Sequence, residues 1–328
     1  MPLSVALSTD ETQGSVGSAA AVEPRAAPIY LIDASIFIFR AFHSVPIDLT
    51  DPDGQPVNAV HGFGRFIGDL IESESPAHIA VAFDESLTKS FRNELYPRYK
   101  ANREPAPVEL QRQFAWCREF CSAYGLAHFA NSNYEADDLI GTLAARARAR
   151  RQRTVLVTRD KDLSQLIRPG DVYWDYIGER RYEYAEIPER FGVRPERMAD
   201  FLALTGDAVD NVPGVPGVGK KTASQLLTHF ESLEHLYDNL DAVFRLKVRN
   251  PGFVVGQLRD HRETAFLARK LTAIFCEAPI DAIYDCGARL RCGSPDLRAL
   301  GELCDRMGFG RLLRNQAERI ANRAMALS

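Results

Sequence analysis

Three short, continuously apolar segments constrain the fold of this chain more than any other feature. They cover residues 29–33, 78–84 and 154–160, and each ends in an aspartate. An apolar run of this kind is typical of a strand that is buried on both faces of a parallel sheet. Stretches with helical periodicity lie between the runs, at 57–74, 107–124 and 136–151. This alternation predicts an α/β fold in which helices cover a parallel sheet.

The pattern changes at about residue 186. From there on, apolar residues recur at helical spacing, and 257–275 and 296–325 are each predicted to be helical. We therefore predict an α/β core over 29–185 and a helical second region over 186–328.

The first part of the chain, residues 1–28, is rich in Ala, Ser and Gly and contains few bulky apolar side chains. We predict that it is a disordered tail. It has no basic start followed by an apolar stretch, so it does not resemble a secretory signal. No run in the chain approaches the roughly 20 apolar residues of a membrane-spanning helix. These features predict a cytoplasmic protein that contacts no membrane.

The cysteines and the net charge exclude little by themselves. No two of the six cysteines have C-x-x-C spacing, and Cys117 and Cys121 have no second ligand pair to complete a zinc site. We expect reduced, mostly buried thiols. The net charge of −4 argues weakly against a polyanionic partner, but the charges are distributed unevenly along the chain.

The acidic residues form the most informative group. Because sites in an open parallel sheet form at the carboxyl ends of its strands, the aspartates that end the apolar runs should converge. Others lie at the start of the helix at 136–151, two positions after Asp160, or after Gly206, giving nine acids in all: Asp33, Asp84, Glu135, Asp137, Asp138, Asp160, Asp162, Asp207 and Asp210. Taken singly, each could simply cap a helix or a turn. Together they would repel one another unless a cation binds, and an all-oxygen ligand set suits Mg²⁺ or Mn²⁺. Their number favours two ions, as in two-metal phosphoryl transfer.

A basic segment follows the second apolar run. Residues 89–103 contain five cations, one acid and two tyrosines. Interleaved cations and aromatic rings suit a nucleic acid, although a solvated loop has a similar composition. Because the segment directly follows Asp84, we expect it to lie over the acidic residues.

A glycine-rich turn at 212–222 precedes a helical stretch. It nearly matches a P-loop, but Lys221 occupies the Ser/Thr position and no buried strand leads into it, so nucleotide binding is rejected. We interpret it as a helix–hairpin–helix turn whose backbone N–H groups hold a phosphate, with a plain helical hairpin as the alternative.

These motifs together resemble the 5′-nuclease family, which includes the 5′→3′ exonuclease domain of bacterial DNA polymerase I and the flap endonucleases. The matching stretches, in family order, are LIDAS (31–35), AVAFD (80–84), SFRNELYPRYKANR (90–103), YEADDLIGTLA (134–144), TRDKDLSQLI (158–167) and FLALTGDAVDNVPGVPGVGKKTASQLL (201–227). The resemblance implies a PIN-like parallel-sheet nuclease core and a helix–three-turn–helix DNA-binding region.

The resemblance also implies roles for individual residues. The first metal would be held by Asp33, Asp84, Glu135 and Asp137, and the second by Asp138, Asp160, Asp162, Asp207 and Asp210. Lys100 and Arg92 would contact the scissile phosphate and, with Asp137, carry catalysis. Residues 85–112 correspond to a basic arch, in which Lys89, Tyr99 and Arg103 would also meet DNA. Duplex backbone, often with a bound K⁺, would lie on the turn residues Gly214, Gly217, Gly219, Lys220 and Lys221.

The function so implied is a divalent-metal-dependent, structure-specific 5′ nuclease of DNA replication and repair, acting near single-strand/duplex junctions. Because all nine acids are present, the alternative of a non-catalytic DNA-structure-binding protein is disfavoured, and the hairpin turn disfavours a PIN-type ribonuclease. Expected partners are DNA with 5′ flaps, nicks or 5′ ends, RNA–DNA hybrids, and polymerase or ligase co-workers. We expect a stand-alone, monomeric, nucleoid-associated bacterial enzyme. One departure from the family pattern is Arg159, where a small residue is usual.

Overall fold

The fold is that of a computed structural model, which describes residues 26–86, 89–281 and 288–327. Only residues 26–28 of the predicted tail are among them. The prediction of disorder therefore lies outside the described residues, as does Cys286. The other five cysteines are free thiols, and Cys117 and Cys121 are buried side by side in the core as predicted.

Six strands form one sheet. They are β1 (Ile29–Asp33), β2 (His78–Asp84), β3 (Ala127–Asn131), β4 (Thr154–Val157), β5 (Val172–Asp175) and β6 (Arg180–Glu183). Their order is β3-β2-β1-β4-β5-β6, and all neighbours are parallel except β5 and β6. The predicted α/β fold with a parallel sheet is confirmed. The third apolar run differs in one respect, since its strand ends at Val157 and Asp160 lies in the turn beyond it.

The helices cover both faces of this sheet and form a second region. Within the described residues they are α1 (Ala34–Ser44), α2 (Asn58–Glu74), α3 (Phe91–Leu95), α4 (Val108–Ala123), α5 (Ala136–Ala149), α6 (Ile187–Phe191), α7 (Met198–Thr205), α8 (Lys220–His229), α9 (Leu233–Asp238), α10 (Pro251–Asp260), α11 (Arg262–Thr272), α12 (Leu297–Arg306) and α13 (Arg311–Leu327). The three helices predicted between the apolar runs are confirmed as α2, α4 and α5. The stretch predicted to be helical at 257–275 lies in α10 and α11, which meet at His261.

Alternate residues of β1 point to opposite faces, as strand geometry requires. Tyr30 and Ile32 join one apolar cluster with α1, α2 and α4, whereas Ile29 and Leu31 join another with α5. A third cluster unites α7, α8, α9, α10 and α11, and it includes Tyr99 from the basic segment. The sheet is therefore covered on both sides, and the helical region has a core of its own. None of the described helices has the length and apolar character needed to span a bilayer.

The last two helices correct the predicted division of the chain. The stretch 296–325 was predicted to be helical and to belong to the DNA-binding region. It forms α12 and α13, separated at Gly308, whose φ of +65° suits the left-handed end of a helix. Helix α12 packs on α4 and α13 packs on α2, and Leu300, Leu303 and Leu313 join the cluster on the first face of the sheet. The range 186–328 thus groups helices that the structure places in two different cores.

This packing predicts a difference between two leucines of α12. Leu300 is buried in the core of the sheet domain, whereas Leu297 is largely exposed. Leu300→Ala should lower the free energy of unfolding by about 2–5 kcal/mol, because it removes buried apolar contacts and leaves a cavity. Leu297→Ala, the control in the same helix, should change it by less than about 1 kcal/mol. Urea unfolding of both variants checks this, and equal effects would contradict the placement of α12.

Candidate functional site

The acidic residues meet where the strand order of the sheet reverses. The chain runs outward from β1 through β2 to β3, and then crosses to β4 on the other side of β1. Asp33 ends β1 and Asp160 follows β4, so both lie beside this switch point, and Asp84 ends the adjacent strand. Such crevices at the carboxyl ends of parallel strands are where ligands bind in open α/β sheets.

Four of the acids form an inner group, namely Asp33, Asp84, Asp137 and Asp160. Asp33 is buried and accepts a hydrogen bond from Thr158 Oγ1 at 3.0 Å. Burial, and then repulsion from Asp84 and Asp160, raise its pKa to about 8. Burial followed by repulsion from Asp160, Asp33 and Asp84 also raises the pKa of Asp137. These carboxylates cannot all be ionised at neutral pH without an added positive charge.

Asp84 joins the two helices that begin at this edge. Its Oδ2 accepts a hydrogen bond from Ser35 Oγ at 2.7 Å, and its Oδ1 accepts one from the backbone N–H of Ala136 at 2.9 Å. These bonds fix the first turns of α1 and α5 against the end of β2. They hold Asp137 in the first turn of α5, next to Asp33 and Asp84.

Asp162 and Asp207 form an outer pair around Lys161. The ammonium of Lys161 donates to Asp207 Oδ2 and lies 3.2 Å from Asp162 Oδ1. Burial, and then the charge of Asp160, raise the pKa of Asp162 to about 7, although Lys161 opposes this shift. Burial works to raise the pKa of Asp207, but the hydrogen bond and charge of Lys161 and the backbone N–H groups of Val209 and Asp210 together outweigh it and lower that pKa.

The basic segment contributes a cation to the other side of the cluster. Lys100 Nζ lies 2.9 Å from Glu135 Oε1 and 3.8 Å from Asp210 Oδ2. Burial works to lower the pKa of Lys100, but Glu135 and Asp210 outweigh it and raise that pKa, so the ammonium keeps its charge. Burial likewise opposes ionisation of Glu135, but Lys100 and Arg92 hold its pKa below the usual value.

The backbone conformation at Lys100 and its hydrogen bonds fix the position of this side chain beside the acids. Lys100 has a φ of +55°, a left-handed conformation that a residue with a Cβ seldom adopts. Its N–H donates to the carbonyl oxygen of Asp210 at 2.9 Å, and Asn211 Nδ2 donates to the carbonyl oxygen of Arg98 at 2.7 Å. The basic segment is thus fastened to the loop that carries Asp207 and Asp210, and its residues Tyr99, Lys100 and Arg103 contact the acids.

Two predicted roles are corrected by a buried ion pair. Arg92 and Asp138 are 2% and 0% exposed. Both oxygens of Asp138 accept hydrogen bonds from the guanidinium of Arg92, each at 2.7 Å. The same guanidinium donates to the carbonyl oxygens of Leu271 and Ala273, at the C-terminal end of α11. Arg92 is therefore not presented to a phosphate in this structure, and both oxygens of Asp138 are occupied by Arg92, so neither residue makes its predicted contact here.

Tyr99 also differs from its predicted role. The ring belongs to the apolar core of the helical region, and the side chain is only 4% exposed. Its hydroxyl donates to Glu135 Oε2 at 3.1 Å and lies 3.3 Å from Asp210 Oδ2. The ring therefore offers no face on which a base could stack. Lys89 is exposed, and Arg103 pairs with Asp210 while remaining partly exposed.

The glycine-rich turn is shaped by close contacts of its own backbone. A Cβ on Gly214 would lie 2.4 Å from the backbone N of Gly206, and one on Gly217, whose φ is +77°, would lie 2.5 Å from the ring of Phe253. These two glycines are required by packing. Nothing lies within 4 Å of the corresponding position on Gly219, which is exposed at the start of α8.

Two exposed lysines follow this turn. Lys220 and Lys221 occupy the first turn of α8, which contains no acidic residue. The N-terminus of a helix carries partial positive charge, so two cations there repel it unless an anion binds. The turn therefore favours a phosphate ligand.

Two family models match the chain. The model of the 5′-3′ exonuclease, N-terminal resolvase-like domain, covers residues 28–192. The model of the 5′-3′ exonuclease, C-terminal SAM fold, covers residues 193–292. This chain belongs to the 5′-3′ exonuclease family.

Known proteins extend this assignment. DNA polymerase I of Rhizobium leguminosarum is 38% identical over 264 residues, which are 78% of this chain and 25% of that protein. DNA polymerase I of Pseudomonas aeruginosa is 39% identical over 284 residues, 86% of this chain and 31% of that protein. The chain thus spans between a quarter and a third of the length of these relatives.

The fold of this 5′-3′ exonuclease family member is also similar to a solved structure. This is the bacteriophage T5 D15 flap endonuclease, in a pseudo-enzyme-product complex with DNA and metal ions. The TM-score is 0.62 at 20% identity, covering 90% of this chain and 99% of that chain. At this identity the similarity concerns the fold alone.

The acids fit divalent cations in chemistry, although their present arrangement is not that of a loaded site. Among the described residues, no group of three Asp, Glu, His or Cys side chains is already arranged to hold a metal ion. Their donors are all oxygens, and the pKa of Asp33 and that of Asp162 are raised by burial and repulsion. Asp162 Oδ1 is also buried, and it accepts no hydrogen bond although the ammonium of Lys161 lies 3.2 Å away. A hard cation would relieve both conditions.

Three contributors to the site were missed by sequence reasoning. Ser35 and Thr158 hold Asp84 and Asp33, and Lys161 bridges Asp162 and Asp207. A signal was available for each of them. Ser35 follows Asp33 by two positions, Thr158 precedes Asp160 by two, and Lys161 lies between two of the acids. Short hydroxyl side chains at strand ends are natural hydrogen-bond donors to neighbouring carboxylates.

Proposed function

We propose that this chain is a divalent-metal-dependent, structure-specific 5′ nuclease that hydrolyses DNA phosphodiesters near single-strand/duplex junctions. The observation that carries this proposal is the carboxylate cluster at the switch point with the ammonium of Lys100 placed inside it. Acids alone would repel a phosphate, whereas acids that hold cations beside a fixed lysine can bind one.

The metal ligands are part of this proposal, and the grouping of the acids at one edge of the sheet supports it. The inner acids Asp33, Asp84 and Asp137, with Glu135, would hold one Mg²⁺ or Mn²⁺ ion. A second ion would be held by Asp160, Asp162, Asp207 and Asp210. When bound, such ions lower the pKa of a water molecule and stabilise the oxygen that leaves. Asp138 is omitted because Arg92 occupies both of its oxygens.

Lys100 would bind the scissile phosphate. Its ammonium can pass from Glu135 to a phosphate oxygen without leaving the cluster, because the backbone fixes its position beside Asp210. Arg103, at the edge of the cluster, would hold a neighbouring part of the strand. In this arrangement Lys100 neutralises charge that develops on the phosphate during hydrolysis.

Duplex DNA would be held by the glycine-rich turn. Gly219 leaves the start of α8 open, and Lys220 and Lys221 offer their charge there. A K⁺ ion bound at this turn belongs to the same proposal. The helical region from α7 to α11 would be the duplex-binding unit, next to the nuclease core formed by the sheet and its helices.

The substrates and partners are proposed on the same basis. They are DNA with 5′ flaps, nicks or 5′ ends, RNA–DNA hybrids as a further class, and polymerase or ligase co-workers in bacterial replication and repair. Relatives of this chain are bacterial DNA polymerases, and the T5 structure with a similar fold was solved with DNA and metal ions.

The experiment that tests the proposal is cleavage of a 5′-flap duplex labelled at the flap end, with Mg²⁺ and with EDTA. We expect a short labelled product that appears with Mg²⁺ and is absent with EDTA, since the carboxylates need the ion to accept a phosphate. A tight, salt-dependent complex without product would instead indicate a non-catalytic DNA-binding protein. Preferential cleavage of an RNA version of the flap would indicate a ribonuclease.

A further inference from the structure

Arg159 is placed at the edge of the acidic cluster by neighbours that are themselves fixed. Thr158 bonds Asp33, and its hydroxyl also accepts the backbone N–H of Asp160 at 2.9 Å. The N–H of Thr158 donates to the carbonyl oxygen of Trp174 in β5 at 3.1 Å. The backbone at Arg159 is therefore held between β4 and the acids, while its side chain remains 55% exposed.

The guanidinium of Arg159 keeps its donors available. Its acidic neighbour is Asp175, at the end of β5, and the distance from Nε to Oδ1 is 3.6 Å. That oxygen already accepts a hydrogen bond from the N–H of Gly178 at 2.8 Å. Asp175 is buried and its contact is with Nε, so the terminal nitrogens of the arginine remain available to another partner.

Arg159 lines an open cavity of about 420 Å³ at the mouth of the acidic cluster. Two other cations line the same cavity, but Lys161 is bound to Asp207 and Arg103 to Asp210. Arg159 differs from them because its carboxylate partner lies outside the cluster. Among the described cations of this cavity, it is the one for which the clustered acids compete least with an incoming anion.

Apolar side chains complete the cavity. Ile36 lies on one wall, and Val209 is 67% exposed although it sits between two acids of the cluster. An apolar wall beside a cation suits a sugar or base attached to a phosphate more than it suits a free ion.

We infer that Arg159 binds the DNA phosphate next to the scissile one and positions the strand across the acids. The inference rests on the proposed nuclease function, in which bound metal ions neutralise the carboxylates around the scissile phosphate. The adjacent phosphate lies beyond those ions and needs a cation of its own. A guanidinium suits it, because it can donate two parallel hydrogen bonds to phosphate oxygens.

The test compares Arg159→Ser and Arg159→Lys with the unaltered chain on one 5′-flap duplex. Cleavage in Mg²⁺ gives KM and kcat, and equilibrium binding in Ca²⁺ at several salt concentrations gives the slope of log Kd against log salt. Arg159→Ser should raise KM about tenfold, change kcat less than threefold, and make the slope shallower by about 0.9, as expected for one lost phosphate contact. Arg159→Lys should keep most of the slope. Arg298→Ser, an exposed arginine of α12, is the control and should match the unaltered chain.

The outcomes separate this inference from the proposed function. If the unaltered chain binds the duplex without cleaving it, the nuclease proposal fails, but the salt slope still tests Arg159. If it cleaves normally and Arg159→Ser keeps both KM and the slope, the inference about Arg159 is overturned and the nuclease proposal stands. Loss of the slope in Arg298→Ser to the same extent would also overturn it, because the effect would then reflect overall charge.

Discussion

Lys100→Ala is expected to lower kcat on a 5′-flap duplex by about 100-fold or more. Lys100 holds the ammonium that lies 2.9 Å from Glu135 within the acidic cluster. Removing a positioned donor that stabilises transition-state charge typically costs a factor of 100 to 1,000 in turnover. Stability should change little, because the side chain is a partner of acids that Tyr99 and Arg103 also contact. Single-turnover cleavage in Mg²⁺, with thermal unfolding alongside, measures both effects.

The control for this prediction is Arg298→Ala. Arg298 lies in α12, near the opposite edge of the sheet from the acids, where the preceding Asp296 bonds to the end of α4. The Arg298→Ala substitution removes one positive charge at a distance from the site, so the kcat of this variant should equal that of the unaltered chain. An unchanged kcat in Lys100→Ala would remove Lys100 from the phosphate-binding residues. A collapse of stability would mean that its role is to neutralise buried acids.

The convergence of the acids could be predicted from the sequence because it follows from a general rule. Asp33, Asp84 and Asp160 each follow an apolar run, and parallel strands bring such residues to one edge whatever the details of packing. Strand β3 was not predicted, because it lacks the apolar pattern on which the other strand predictions depend. Its sequence AHFAN is neither continuously apolar nor alternating, and it is an edge strand with only Phe129 fully buried.

The fate of Arg92 could not be predicted in this way. Its partners are Asp138, 46 positions away, and the carbonyl oxygen of Leu271, 179 positions away. The sequence shows only a cation in a basic segment, which suggests an exposed residue. Local pattern cannot distinguish a cation that meets solvent from one that enters a core, because that depends on what the fold brings against it. Tyr99 was misplaced for the same reason.

The same limit applies to α12 and α13. Their apolar spacing predicts helical structure over 296–325, and the structure forms two helices there. The spacing does not say which core they cover. In the structure they close one face of the sheet, where Gln316 is fully buried and bonds to Asp69 and Glu72 of α2.

Arg92→Ala is expected to lower the free energy of unfolding by about 3–5 kcal/mol. The substitution would leave the fully buried Asp138 without its counter-ion, and breaking one partner of a buried pair costs about this much. It would also remove the donor that satisfies the carbonyl oxygens of Leu271 and Ala273 at the end of α11. Asp138→Ala should destabilise to a similar extent, because it removes both short hydrogen bonds of the buried guanidinium and leaves Arg92 only the more distant Glu135, at 3.5 Å, as a counter-ion. Urea unfolding of both variants measures these effects.

The double variant Arg92→Met/Asp138→Leu separates pairing from packing. Replacing both members of a buried ion pair by apolar side chains is often neutral, because the desolvation of two charges is avoided. Here recovery should be partial, since Asp138 also accepts the backbone N–H groups of Glu135 and Phe275. The double variant should therefore be more stable than either single variant and less stable than the unaltered chain. If instead Arg92→Ala kept its stability and lost flap cleavage, Arg92 would contact the phosphate after all, and the basic segment would have to leave the position that the structure shows.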